Sequence, residues 1–203
     1  MSPKSRGRPP GRGRKRPGNR RRPAGSGPTG IVRSPGGLYA AEAEEITDGW
    51  FDDPVPGDQR SWAAPAGHGT YRGLELEQLD PDDEDELTFL LEAQHPEMAE
   101  ALERHEEMVA ASGDTINPTL HVLLHVVVAK QLLADDPPET WQAVQRLAGL
   151  GYDWHNIMHM ISELVSENIW LARTEGRTFD PKDYARRLAE LPGDWPSPEQ
   201  LGL

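Results

Sequence analysis

Two pairs of histidines have the spacing that places side chains on one face of a helix. His121 and His125 are four residues apart, and so are His155 and His159. Residues four apart on an α-helix lie on the same face, with Cβ atoms about 6 Å apart. Each pair lies in an apolar, helix-forming run, so two facing helices would bring four imidazoles together. Neutral imidazoles are common protein ligands of zinc, iron, nickel and copper.

Two further residues extend this pattern. Glu163 follows His159 by four positions and adds a carboxylate to the same helical stripe, and His95 lies at the end of a neighbouring predicted helix. The predicted metal-site residues are therefore His95, His121, His125, His155, His159 and Glu163. A donor set of nitrogen and oxygen without sulfur favours iron, manganese or zinc as the bound ion.

Other interpretations of the histidines remain open at this point. Burying four imidazoles without partners would cost about 1–3 kcal/mol for each unsatisfied group. The rings therefore hold an ion, or they bond one another and nearby carboxylates in a buried polar network, or they lie at the surface. Within the metal interpretation, a structural or sensing role and a catalytic one are both open, and the sequence does not select a reaction.

Several familiar catalytic sites do not fit the sequence. The chain has no cysteine, which excludes disulfides, thiolate ligands and a thiol nucleophile. A zincin protease needs Glu directly after the first histidine of its motif, and those positions hold Val122 and Asn156. Ferritin-like di-iron sites need two Glu-x-x-His motifs, and only Glu92 to His95 matches. The sequence also contains no Gly-rich phosphate loop and no nucleophile elbow.

The helices that carry the two histidine pairs have clear start signals. Asn117 is the predicted N-cap of the first helix, with Pro118 at its first position and its end near Ala134. Asp153 is the predicted cap of a long helix over residues 154–175. The first of these helices is apolar nearly all round, which is typical of the centre of a bundle.

The remaining apolar periodicity predicts an all-α bundle of five or six helices over residues 81–191. An acidic first turn follows Pro81. Pro96 begins a predicted helix that runs to about Ala111, with Val109 facing inward. No strand-like alternation is evident anywhere in the chain.

The segments outside the bundle are rich in Gly and Pro. Residues 1–37 are predicted to be a disordered, basic, Arg/Gly/Pro-rich arm. Residues 38–80 are predicted to be an acidic linker that lays a few of its scattered aromatics on the domain surface; these aromatics are Trp50, Phe51, Trp62 and Tyr71. Residues 192–203 are predicted to be a C-terminal tail.

The charge of the chain is divided unevenly. The net charge is −13, but the first 41 residues contain eleven Lys or Arg and no acid, which leaves ten basic and 34 acidic residues in the remainder. A basic arm attached to an acidic body indicates that any nucleic-acid binding resides in the arm. The acidic bundle would then present a surface to a protein partner.

Within the arm, Arg6-Gly7-Arg8-Pro9 resembles the core of an AT-hook, which lies in the minor groove of A·T-rich DNA. The resemblance implies contact with DNA or RNA through residues 1–33. The predicted nucleic-acid-binding residues are Arg6, Gly7, Arg8, Pro9, Arg12, Arg14, Lys15 and Arg16. A generic polycation, binding nucleic acid without preference or pairing with the acidic body, explains the same composition.

Several separate motifs in order resemble bacterial domain-of-unknown-function family 1841, over about residues 84–176. They are His95-Pro96-Glu97, Asn117-Pro118 with His121 and His125, Gln131, Pro137-Pro138, the series His155, His159 and Glu163, and Trp170. The resemblance implies a small α-helical domain in which these histidines matter, and it implies no particular activity. The basic arm lies outside the family pattern.

The sequence gives no sign of membrane insertion. It has no run of about eighteen apolar residues, and its basic N-terminus lacks the apolar core of a signal peptide. A cytoplasmic protein is therefore expected, associated with the nucleoid if the arm binds DNA.

Overall fold

The computed structural model describes residues 50–109, 113 and 115–203. The predicted basic arm, including the AT-hook-like Arg6 to Pro9, lies outside the described residues. Within them the chain is mostly helical, which confirms the all-α prediction. The helices are α1 (Gln59–Ala63), α2 (Glu84–Ala93), α3 (Ala99–Arg104), α4 (Pro118–Ala134), α5 (Pro138–Gly149), α6 (Trp154–Glu175), α7 (Pro181–Glu190) and α8 (Pro198–Leu201).

Among the described residues, five helices have ten or more residues, which agrees with the predicted five or six. Four very short strands accompany them in two antiparallel hairpins. They are β1 (Thr70–Tyr71) with β2 (Leu74–Glu75), and β3 (Met108–Val109) with β4 (Thr115–Ile116). Strands of two residues are too short to show alternation, so they could not be predicted from the apolar pattern.

Helix α4 is the centre of the bundle and packs against α1, α2, α5 and α6. It begins at Asn117, whose side chain accepts a hydrogen bond from the backbone N–H of Leu120. It ends at Asp135, which has left-handed backbone angles (φ 51°). Both ends match the predicted bounds, and the cap and the proline at the first position are the local signals that determine the start.

Helix α6 has the predicted bounds and lies against α4. Asp153 caps it by accepting a hydrogen bond from the backbone N–H of Asn156 at 2.7 Å. Gly176 ends it with a positive φ of 65°, a conformation that glycine adopts without steric cost. The first two turns of α6 are almost wholly buried, so the ligand candidates on them face the interior.

The helix predicted from Pro96 to Ala111 is wrong in its second half. Residues Pro96–Met98 form a 3-10 turn that leads into α3, and α3 ends at His105 in the left-handed region (φ 54°). The chain then enters the β3–β4 hairpin, where Val109 is 68% exposed rather than inward. The left-handed conformation of His105 stops the helix there, and the backbone N–H of Glu106 then donates to the Ala101 carbonyl at 3.0 Å.

The described part of the predicted linker, residues 50–80, is folded onto the bundle. Helix α1 packs against α4, and Trp62 and Tyr71 are buried rather than spread on the surface. The indole N–H of Trp154 donates to the backbone oxygen of Trp62 at 2.8 Å, which ties α1 to the start of α6. Burial of these aromatic rings depends on distant parts of the chain, which local composition does not reveal.

The predicted C-terminal tail also packs against the domain. The indole N–H of Trp195 donates to Asn156 Oδ1 at 3.2 Å, and the Tyr152 hydroxyl donates to the Pro196 carbonyl at 3.0 Å. These bonds lie beside the N-terminal half of α6. Residues 195 and 196 therefore help to hold in place the start of the helix that carries the second histidine pair.

A partly buried polar junction joins α4 to α5 and α7. Gln131 Oε1 accepts hydrogen bonds from the Thr140 hydroxyl at 2.8 Å and the Tyr184 hydroxyl at 3.0 Å. This junction fixes the far end of α4 relative to its neighbours.

Among the described residues, none of the helices combines the length and the apolar character that crossing a bilayer requires.

Candidate metal centre

Five of the seven histidines of the chain lie together between α4, α6 and the turn after α2. Their neighbouring ring centroids are between 4.4 and 5.9 Å apart. We call this group the histidine cluster; its members are His95, His121, His125, His155 and His159. His68 and His105 lie elsewhere and are exposed.

His95 is placed in the cluster by a tight backbone turn between α2 and α3. Its backbone N–H donates to the Glu92 carbonyl, and its carbonyl accepts from the Met98 N–H, both at 2.9 Å. Pro96 begins the 3-10 turn directly after it. The side chain is wholly buried and reaches the histidines of α4.

Three ring nitrogens meet around His95. Its Nε2 lies 3.3 Å from His121 Nε2 and 3.4 Å from His125 Nδ1. One nitrogen from each of these three residues can be chosen so that all lie within 4.8 Å of one another. Bonds of 2.0–2.1 Å to a tetrahedral zinc place adjacent nitrogens about 3.3–3.4 Å apart. The two separations about His95 Nε2 have this length.

A second group of three satisfies the same distance condition. Ligand atoms of His121, His155 and His159 also lie within 4.8 Å of one another. The two groups share His121. Each of the five predicted histidines therefore belongs to at least one group of three that could hold a metal ion.

Burial keeps the cluster histidines in their neutral form. It is the main cause of a pKa well below the usual value for His95, His121, His125 and His159, and the neighbouring histidines add to the effect. His155 is partly exposed; burial lowers its pKa too, and the nearby Asp153 and Glu97 carboxylates oppose the shift. A neutral imidazole keeps the lone pair that a metal ion needs.

The protein groups alone leave part of this cluster unsatisfied. His125 Nε2 is buried and has no hydrogen-bond partner among the described residues. A buried nitrogen in that state costs about 1–3 kcal/mol. It is a different nitrogen from His125 Nδ1, which lies beside His95 Nε2, so this unfilled hydrogen-bonding position is separate from the place where the three rings approach one another.

The carboxylate beside the cluster is not the predicted one. Glu163 is partly exposed on α6 and belongs to neither group of ligand atoms. Instead, Glu97 Oε1 lies 3.3 Å from His95 Nδ1. From the sequence, His95-Pro96-Glu97 could be recognised only as a family motif. The contact of Glu97 with His95 depends on the 3-10 turn that folds Glu97 back.

Most of the described chain, including the histidine cluster, matches a known protein family. A family model described as "Domain of unknown function (DUF1841)" matches residues 72–190. The chain belongs to this family. The match confirms the resemblance seen in the sequence, and the DUF1841 region contains the whole histidine cluster. No curated protein and no solved structure matches the chain.

Proposed function

We propose that this DUF1841 protein binds one divalent metal ion through His95, His121 and His125. The supporting observation is the separation of their ring nitrogens, 3.3 and 3.4 Å about His95 Nε2. Their burial and neutrality suit them to bind an ion.

We propose zinc as the bound ion, among the iron, manganese and zinc that nitrogen and oxygen donors favour. In a regular octahedron with the same bond length, adjacent ligands are only about 2.8–3.0 Å apart. The observed spacing is closer to a tetrahedral ion. Imidazole ligands without thiolate are common in zinc sites of this shape.

Three protein ligands leave a fourth position. The rings of His155 and His159 lie beside the three ligands. The ring centroid of His155 is 4.8 Å from that of His95, and the ring centroid of His159 is 5.0 Å from that of His121. In catalytic zinc sites the fourth position holds water, whose pKa the metal lowers to about 7. In structural sites a fourth side chain fills it. His155 is the least buried residue of the cluster.

The test is metal analysis of the full chain, purified without a His-tag and offered zinc at neutral pH. We expect about one equivalent of tightly held zinc. His125→Ala should remove it, whereas His68→Ala, which changes an exposed histidine outside the cluster, should not. Circular dichroism of each variant checks that the helices remain.

The result that would overturn the proposal is a wild-type chain that retains less than about a tenth of an equivalent and cannot be loaded. Equal loss of zinc in His68→Ala and His125→Ala would also overturn it, because binding would then not depend on the cluster.

A further inference from the structure

Glu97 and the other histidines lie on different nitrogens of the same imidazole ring. Glu97 Oε1 is 3.3 Å from His95 Nδ1, while His95 Nε2 is the atom that meets His121 and His125. The His95 side chain is 1% exposed and that of Glu97 is 19% exposed. His95 therefore connects a partly buried carboxylate to the proposed ligand atoms.

This arrangement determines where the proton of His95 resides. Burial raises the pKa of Glu97, and above that pKa its carboxylate can only accept hydrogen bonds, so His95 Nδ1 is then the donor. A neutral imidazole has one N–H, so its Nε2 then carries a lone pair. That lone pair is at the nitrogen nearest His121 and His125.

We infer that Glu97 is a positioning residue for the proposed zinc site, holding His95 as the Nδ1–H tautomer with its Nε2 lone pair toward His121 and His125. The inference rests on the proposed function for the metal, but the tautomer itself does not. A carboxylate behind a ligating histidine fixes the ring and makes it a better donor. Its negative charge also offsets part of the charge of a dication held by neutral ligands.

A second feature of Glu97 supports a role beyond folding. Its Oε2 is buried and has no hydrogen-bond partner in the part of the chain that the structure describes. A carboxylate kept partly buried with one oxygen unsatisfied costs stability. The contact of Glu97 Oε1 with His95 Nδ1 would offset this loss of stability through its effect on the site.

The experiment measures the tautomer and the affinity separately. Long-range ¹H–¹⁵N spectra of the metal-free full chain report which nitrogen of His95 carries the proton, and zinc titration against a chelator reports the affinity. The variants are Glu97→Ala and Glu97→Gln. The matched control is Glu100→Gln, which changes an exposed glutamate on α3 that pairs only at the surface with Arg104.

In the wild type and in Glu100→Gln we expect His95 to be protonated at Nδ1. In Glu97→Ala the proton should move in part to Nε2, and zinc affinity should fall about 10–100-fold. Glu97→Gln keeps the size of the side chain and an oxygen that accepts from Nδ1–H but loses the negative charge, so zinc affinity should fall while the tautomer is kept, even if Glu97→Ala does not fold.

The inference is overturned if His95 is protonated at Nε2 in the wild type, or if both Glu97 variants keep the wild-type tautomer and affinity. A wild type that binds no zinc would refute the proposed function. In that case the tautomer spectra alone decide whether Glu97 orients His95.

Discussion

Burial makes the cluster histidines poor bases, and this has a consequence for the metal-free protein. The pKa of each of the five is lowered chiefly by burial. Histidines of the unfolded chain have a pKa of about 6.5. As the pH falls below that value, the unfolded chain binds protons that the folded cluster does not accept.

The metal-free protein is therefore expected to have its full stability above about pH 6.5 and to lose it progressively as the pH falls toward 5. Each histidine contributes at most about 1.4 kcal/mol per pH unit to this loss. Urea unfolding at a series of pH values measures it. His159→Leu, which removes one buried titratable group, should show a shallower decline. Equal stability at pH 7.5 and 5 would contradict the expectation.

Single residues also show how far sequence reasoning reaches into the site. The four-residue spacing was sufficient to place His121 with His125 and His155 with His159, because helical periodicity fixes which face they share. Glu97 could not be recognised as the neighbouring carboxylate, since its contact with His95 is made by a 3-10 turn. Spacing also favoured Glu163, which lies on the correct helix but outside the groups of ligand atoms.

At the scale of helices, the site depends on the first two turns of α4 and of α6. Both starts are fixed by side-chain caps, Asn117 and Asp153. These local signals made the bounds of α4 and α6 predictable. The end of α3 was not predictable, because it depends on a left-handed His105 and on pairing between β3 and β4.

The cap of α4 gives a prediction for stability. Asn117→Ala removes the acceptor of the Leu120 N–H and should lower the free energy of unfolding by about 1 kcal/mol. The control is Thr119→Ala, an exposed change in the same first turn that should cost about 0.5 kcal/mol or less. Urea unfolding of both variants measures the difference, and equal values would show that the cap contributes nothing.

At the scale of the whole molecule, the DUF1841 region and the basic arm are separate parts of the sequence. The family match begins at residue 72, whereas the eleven basic residues of the arm precede residue 42. The rest of the chain is strongly acidic and would repel nucleic-acid phosphates. Metal binding and any nucleic-acid binding should therefore be independent.

Deleting residues 1–33 is expected to abolish any salt-sensitive mobility shift of DNA or RNA and to leave zinc binding unchanged. Gel shifts at several salt concentrations, with the full chain and the deletion compared in parallel, measure the first effect. A shift that survives the deletion would place nucleic-acid binding outside the arm. An A·T-rich duplex compared with a G·C-rich one tests the AT-hook-like interpretation of Arg6 to Pro9.

The central claim is that His95, His121 and His125 coordinate one ion. X-ray absorption at the zinc edge of the loaded full chain tests it most directly, because it reports the number, type and distance of the ligand atoms. We predict about three imidazole nitrogens at 2.0–2.1 Å, with the imidazole signal reduced in His125→Ala. A shell of oxygens alone, or an imidazole signal that is the same in wild type and His125→Ala, would contradict the account.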